Sequence, residues 1–76
     1  HREFLHCQPD FVKNIRPNQI LQSSSDIDIL EQFAGHYQIH SYLYEDSGNR
    51  PMAAELIWRH DMMKRIADNS RKCLEK

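Results

Sequence analysis

The sequence predicts a small all-α protein, an antiparallel helical bundle whose first helix is bent or broken. Apolar residues recur at intervals of three and four along most of the chain, the spacing of one helical face. No pair of segments alternates clearly enough to form a sheet. The chain has 76 residues, so we treat 1–76 as a single helical domain. It begins at His1, and we expect it to be a fragment of a larger protein.

The first predicted helix covers about residues 2–15 and contains a proline. Its apolar face would comprise Phe4, Leu5, Phe11, Val12 and Ile15. Pro9 lies inside this pattern, and proline removes a backbone donor and crowds the preceding turn. We therefore expect a bent helix, or two short helices that meet at Gln8 and Pro9. Pro17 suits a first helical turn and predicts a short helix over residues 17–21.

A middle helix is predicted after the serines, with Ser25 or Asp26 as its N-cap. Its buried face would contain Ile27, Leu30, Phe33, Ala34 and Tyr37. Gly35 is expected to end or soften this helix. Residues 36–44 fit both periodicities, because Tyr37, Ile39 and Leu43 alternate as in a strand whereas Ile39, Tyr42 and Leu43 suit a helix. We expect a helix, since no other segment could pair with a strand.

The last helix has the longest apolar pattern, and it follows a polar turn at residues 45–49. Pro51 is expected to open this helix. The predicted buried face comprises Ala53, Leu56, Ile57, Met63, Ile66, Ala67, Cys73 and Leu74. Basic residues crowd its later turns, where they favour the negative end of the helix dipole: Lys64, Arg65, Arg71, Lys72 and Lys76. Asn69 and Ser70 are expected as a point where the helix breaks in two.

Composition narrows the classes of function. Lys and Arg number 10 against 11 Asp and Glu, a formal net charge of −1, which argues against a general nucleic-acid binder. No apolar run approaches the roughly 20 residues that span a bilayer, so we expect no membrane association. Cys7 and Cys73 are too few for a disulfide framework, although helical packing could bring the two ends of the chain together and allow one bridge. We expect reduced thiols in a cytoplasmic protein.

Candidate residues for chemistry are scattered. His36 and His40 are four residues apart, a spacing that places two metal ligands on one helical face. Further ligands would have to come from His6, Cys7, His60 and Cys73, none of which forms a clustered pair with a second cysteine. A Cys–His nucleophile lacks a suitable arrangement, and the only glycines, Gly35 and Gly48, form no phosphate-binding loop. We therefore expect no metal, no cofactor and no enzymatic activity.

Protein binding is the function that the surface residues favour. Trp58 next to Arg59 is a frequent type of interface anchor, although it would equally cover the edge of the core. An acidic group follows the serines and a basic group lies on the last helix, which would permit head-to-tail self-association or would simply be solvated faces. The predicted interface residues are Asp26, Asp28, Glu31, Trp58, Arg59, Lys64 and Arg65.

Two segments resemble a known family. Residues 2–21, REFLHCQPDFVKNIRPNQIL, resemble the start of a caspase-recruitment domain, most similar to those of cytosolic double-stranded-RNA sensor helicases. Residues 46–56, DSGNRPMAAEL, resemble the polar turn and the start of the fourth helix in such a domain. The resemblance implies a death-fold-like bundle with a broken first helix. The stretch between Leu21 and Pro51 is longer than in these domains, and we do not expect complete fifth and sixth helices after Ile66.

The resemblance also implies a function, namely homotypic docking onto another domain of the same type in innate-immune or death signalling. Pairing of an acidic with a basic patch would be the mode of contact. Two alternatives remain open from the residues themselves. One is a regulatory or assembly domain of a larger enzyme, and the other is a nucleic-acid-binding domain that uses the basic last helix.

Overall fold

A computed structural model describes residues 8–75, which form two long helices and one short one. Helix α1 spans Asp10–Lys13, α2 spans Ser24–Asp46 and α3 spans Arg50–Glu75. The end of α3 lies beside the start of α2, where Arg71 pairs with Asp28, so the two long helices are antiparallel. The described part measures 44 × 21 × 16 Å. The predicted all-α bundle is confirmed, and no strand occurs within residues 8–75.

Helix α2 begins two or three residues earlier than predicted. Its N-cap is Ser23, whose hydroxyl accepts a hydrogen bond from the Asp26 N–H at 3.1 Å. The N-cap assignments to Ser25 and Asp26 are therefore wrong, because both residues already lie within the first turn. Gly35 does not interrupt the helix, since α2 continues through it as one unbroken helix of 23 residues. The helix predicted over residues 36–44 is confirmed.

The turn between the long helices is specified by Gly48 and Asn49. Gly48 has φ +86°, a left-handed conformation that glycine adopts without a Cβ clash. Its N–H donates to the Glu45 carbonyl at 3.0 Å, and the Asn49 N–H donates to the Tyr44 carbonyl at 2.8 Å. This pair of bonds is the Schellman ending of a helix. The predicted turn is thus shorter than residues 45–49, because Glu45 and Asp46 are still helical.

Helix α3 starts at Arg50, one residue before the predicted Pro51. The side-chain oxygen of Asn49 accepts a hydrogen bond from the Met52 N–H at 3.3 Å, so Asn49 ends one turn and opens the next helix. Pro51 lies in the first turn, where no intrahelical acceptor exists for an N–H. The predicted break at Asn69 and Ser70 is wrong, since α3 continues to Glu75.

The core lies between the facing sides of α2 and α3 and beneath the segment that precedes α2. All five residues predicted for the buried face of α2 are buried, and so are five of the eight predicted for α3. Ile57 is only half-buried, while Cys73 and Leu74 are exposed in the last turn of α3, at the open end of the hairpin beside Ser24. The sequence reading missed Met62 and Ser70, which are buried. The core consists of Val12, Leu21, Ile27, Leu30, Phe33, Ala34, Tyr37, Leu56, Met62, Met63, Ile66 and Ala67.

Within the described residues, the segment before α2 lies over one half of the helical hairpin. Near its described start, the side-chain oxygen of Gln8 accepts a hydrogen bond from the Tyr37 hydroxyl, and the packed part ends near Leu21. The Leu21 N–H donates to the Ser70 hydroxyl at 2.8 Å, and neither group is exposed. The short helix predicted over residues 17–21 is wrong, because this N–H pairs with α3 and not with a carbonyl in its own segment. The other half of the hairpin contains the turn at Gly48.

Pro9 does not lie within a helix. It is the N-cap of α1, with ψ 160°, and its carbonyl accepts hydrogen bonds from the Val12 and Lys13 N–H groups. Of the break predicted at Gln8 and Pro9, the structure describes only the C-terminal side, where both residues are non-helical and α1 begins at Asp10. The part of the predicted first helix that falls on residues 1–7 lies outside the described residues.

Candidate protein-interaction surface

The predicted acidic group is largely neutralised within the molecule. Arg71 donates through the same guanidinium nitrogen to Asp28, at 2.9 Å, and to Glu31. Arg71 was not among the predicted site residues, and it lies 40 residues or more from both acids in sequence. Its hydrogen bonds to Glu31 and then Asp28 raise the pKa of Arg71 above its ordinary value. Asp28 and Glu31 therefore close the open end of the hairpin and do not form a free acidic patch.

Asp26, the third predicted acid, lies apart from this cluster. Its N–H is held by the Ser23 cap, and the side chain lies in the first turn of α2, where a negative charge favours the helix dipole. Its position at the helix start accounts for an acid here without any binding partner. The structure therefore gives a local reason for each of the three predicted acids.

The predicted basic residues do not share one face of α3. Lys64 and Arg65 are neighbours and point about 100° apart, and Arg59 is five and six residues before them. Arg59 is also engaged: Nε donates to Glu55 at 2.8 Å and Nη1 donates to the Lys13 carbonyl at 3.3 Å. It thus ties the end of α1 to α3. Lys64 and Arg65 are exposed, and no ion pair joins either to an acid of residues 8–75.

Trp58 is on the outside of α3, with 49% of its surface exposed. It lies five residues before the fully buried Met63, which places it about 140° round the helix from that core position. Arg65 follows Trp58 by seven residues, about two turns, so the two side chains share one face. Trp58 therefore covers the edge of the core only in part, because half of the indole remains in contact with water.

The largest exposed apolar residues of α2 form a stripe that the sequence reading did not select as a site. Ile39, Tyr42 and Leu43 are 57%, 56% and 57% exposed, and their spacing of three and four places them on one face. Tyr37 is buried, and Ile39 lies two residues later, about 200° round the helix. We call Ile39, Tyr42 and Leu43 the outer α2 stripe. The available signal was a helix with apolar residues on two opposite faces, only one of which can pack against α3.

An acidic end follows the outer α2 stripe. Asp46 comes three residues after Leu43 and seven after Ile39, so it continues the same face. The last turn of α2 contains no basic residue, although the C-terminus of a helix carries partial negative charge and favours cations. Among the described residues no Lys or Arg forms an ion pair with Asp46. Glu45 lies off this face and lines a shallow hollow together with Arg50.

The candidate metal ligands that the structure describes do not form a cluster. No group of three or more His, Cys, Asp or Glu side chains within residues 8–75 has the arrangement of a metal site. His60 Nδ1 lies 3.0 Å from Asp61 and does not approach the exposed Cys73. The proposed ligands His6 and Cys7 lie outside the described residues. A further surface hollow beside α1 contains only Asp10 and Arg16 as charged groups, which is not a nucleophile–base pair.

Comparisons of the chain with protein-family models, with curated proteins and with solved structures found no match. Neither long helix, in the part of the chain that is described, has the length and apolar character needed to cross a membrane. The class that the fold defines is therefore a small helical-hairpin domain with an exposed apolar stripe.

Proposed function

We propose that this domain is a protein-interaction module of the cytoplasm that docks onto another domain of the same type. The observation that carries the proposal is the outer α2 stripe, in which three large apolar side chains are each more than half exposed. Complete burial of such a side chain stabilises by about 1.5–3 kcal/mol, so covering the exposed half of each would contribute about 1 kcal/mol. Contiguous exposed apolar surface is typical of protein-binding sites.

A role in innate-immune or death signalling belongs to the same proposal. It is supported by the resemblance of residues 2–21 and 46–56 to caspase-recruitment domains, together with the helical fold. The flanking sequence of the parent protein tests this part. A second helical domain followed by helicase motifs is expected, and an unrelated catalytic domain would favour the assembly-domain alternative.

The nucleic-acid alternative has less support from the arrangement of charge. Binding to a phosphate backbone needs several Lys or Arg side chains along one surface. Here Arg59 and Arg71 are engaged with Glu55, Asp28 and Glu31. The other described Lys and Arg residues are dispersed over α1, the segment after it and several sides of α3. Salt-sensitive binding of the chain to RNA would overturn this preference.

Sedimentation equilibrium over a range of concentrations tests the docking function. We expect the 76-residue chain to self-associate reversibly and the double variant Ile39→Gln, Leu43→Gln to remain monomeric at the same concentrations. Both substitutions are at exposed positions, so the thermal unfolding midpoint should change little.

Leu74→Gln is the matched control, because Leu74 is 46% exposed but lies at the end of α3 beside Ser24, at the opposite end of the hairpin from the stripe. This variant should self-associate like the unmodified chain. Equal loss in both variants would indicate non-specific apolar aggregation. A wild-type chain that stays monomeric at every concentration would exclude homotypic docking.

A further inference from the structure

Two surfaces of the molecule match in chemistry and in spacing. On α2, the outer α2 stripe begins at Ile39, and the acid Asp46 follows on the same face seven residues after Ile39. On α3, the half-exposed Trp58 is followed seven residues later by the exposed base Arg65. Seven residues of helix span about 10 Å, so both surfaces present an apolar group and a charge at the same separation. The two charges have opposite sign.

We propose that the outer α2 stripe of one copy binds the Trp58–Arg65 face of α3 in a second copy. The helices would lie parallel, with Trp58 on Ile39, Tyr42 and Leu43, and with Arg65 beside Asp46. This assignment rests on the proposed homotypic function and names its two surfaces. It differs from pairing of the predicted acidic and basic groups, because Asp28, Glu31 and Arg59 are engaged within one chain.

Local electrostatics supports the acidic side of this contact. Asp46 lies at the negative end of the α2 dipole, where an anion destabilises the helix and a cation stabilises it. A guanidinium from another molecule would neutralise both the carboxylate and the exposed end of the helix. Residues that break a local stability rule without internal compensation are frequent at functional sites.

On the basic side of the contact, the face around Arg65 carries charges of both signs, which favours specific binding. Asp61 and Asp68 lie four residues before and three after Arg65 on α3, so this face is not a broad cationic patch. A half-buried Trp beside an Arg, with little excess charge around them, favours one partner geometry over general attraction to anions. The contact joins two different surfaces, so each added copy leaves another stripe free, and the assembly can extend.

Charge reversal with rescue tests the pairing. In sedimentation equilibrium, Asp46→Lys and Arg65→Glu should each weaken self-association at least about tenfold, because like charges would then face each other. The double variant Asp46→Lys, Arg65→Glu should recover to within about threefold of the unmodified chain, since the pair is restored with its signs exchanged. Circular dichroism and thermal unfolding establish that each variant is folded.

Glu45→Lys and Lys64→Glu are the matched controls. Each makes the same change of charge one residue away, about 100° round the same helix, and should leave self-association unchanged. If the double variant is no better than the single variants while Ile39→Gln, Leu43→Gln still abolishes association, homotypic docking stands and this pairing is wrong. If the unmodified chain does not associate at all, the proposed function fails as well.

Discussion

At the scale of single residues, burial separates side chains that are chemically identical. Leu56 is 8% exposed and packs in the core, whereas Leu43 is 57% exposed on the outer α2 stripe. The periodicity of α3 predicts the first position correctly, because its apolar residues fall on one face. The periodicity of α2 does not predict that Leu43 is exposed, since α2 has apolar residues on two faces and the sequence does not say which one is covered.

Leu56→Ala is expected to lower the free energy of unfolding by about 2–5 kcal/mol, the usual cost of emptying a buried leucine site. The same substitution at Leu43 should change stability by no more than about 0.5 kcal/mol, because little buried surface is removed. Urea denaturation of the two variants measures both values. Similar losses at the two positions would show that the outer side of α2 is packed in the isolated chain.

At the scale of elements, short polar contacts determine where the helices begin and end, and the sequence predicts these contacts only in part. The Ser23 cap and the Gly48 turn use residue types that favour these positions. The choice among Ser23, Ser24 and Ser25 was not predictable, because all three can cap and the packing of Ile27 against the core sets where the helix starts. The interruption expected at Gly35 is absent, because a helix that is stable on both sides of a single glycine continues through it.

Gly35→Ala should stabilise the domain by about 0.5–1 kcal/mol. Gly35 is in the interior of α2, is exposed, and has no heavy atom within 4 Å of the position that a Cβ would occupy. Alanine therefore gains helix propensity without a clash. The measurement is the shift in the denaturation midpoint at constant slope. A destabilised variant would mean that this part of α2 bends or opens in solution.

At the scale of the whole molecule, one buried hydroxyl joins the segment before α2 to the far end of α3. Ser70 is fully buried and accepts the Leu21 N–H, a contact between residues 49 apart in sequence. Arg59 and the Lys13 carbonyl form a second such connection. Together they hold residues 8–23 over one half of the hairpin, and within the described residues this segment does not extend to the outer α2 stripe.

Ser70→Ala is expected to cost about 1–3 kcal/mol, because the Leu21 N–H would remain buried without an acceptor. Ser24→Ala is the control, since Ser24 is exposed in the first turn of α2. Chemical denaturation gives the stability, and hydrogen exchange at the Leu21 amide gives the local effect, which should be faster exchange in the Ser70 variant alone. Unchanged exchange would show that water replaces the hydroxyl.

The sequence by itself determined the helical class and most of the core, because helical periodicity and the residues at turns are local properties. It did not predict two unbroken long helices, since interruptions were expected at Gly35 and at Asn69 and Ser70. It also selected Trp58 and Arg65 as candidate interface residues. Only the tertiary structure decided which charges are free. Arg71 reaches Asp28 and Glu31 across 43 and 40 residues of chain, and Arg59 reaches Lys13 across 46. Such pairings depend on how the helices are placed in space, and no local pattern encodes them. For the same reason the outer α2 stripe became visible only when the opposite face of α2 was seen to be packed against α3.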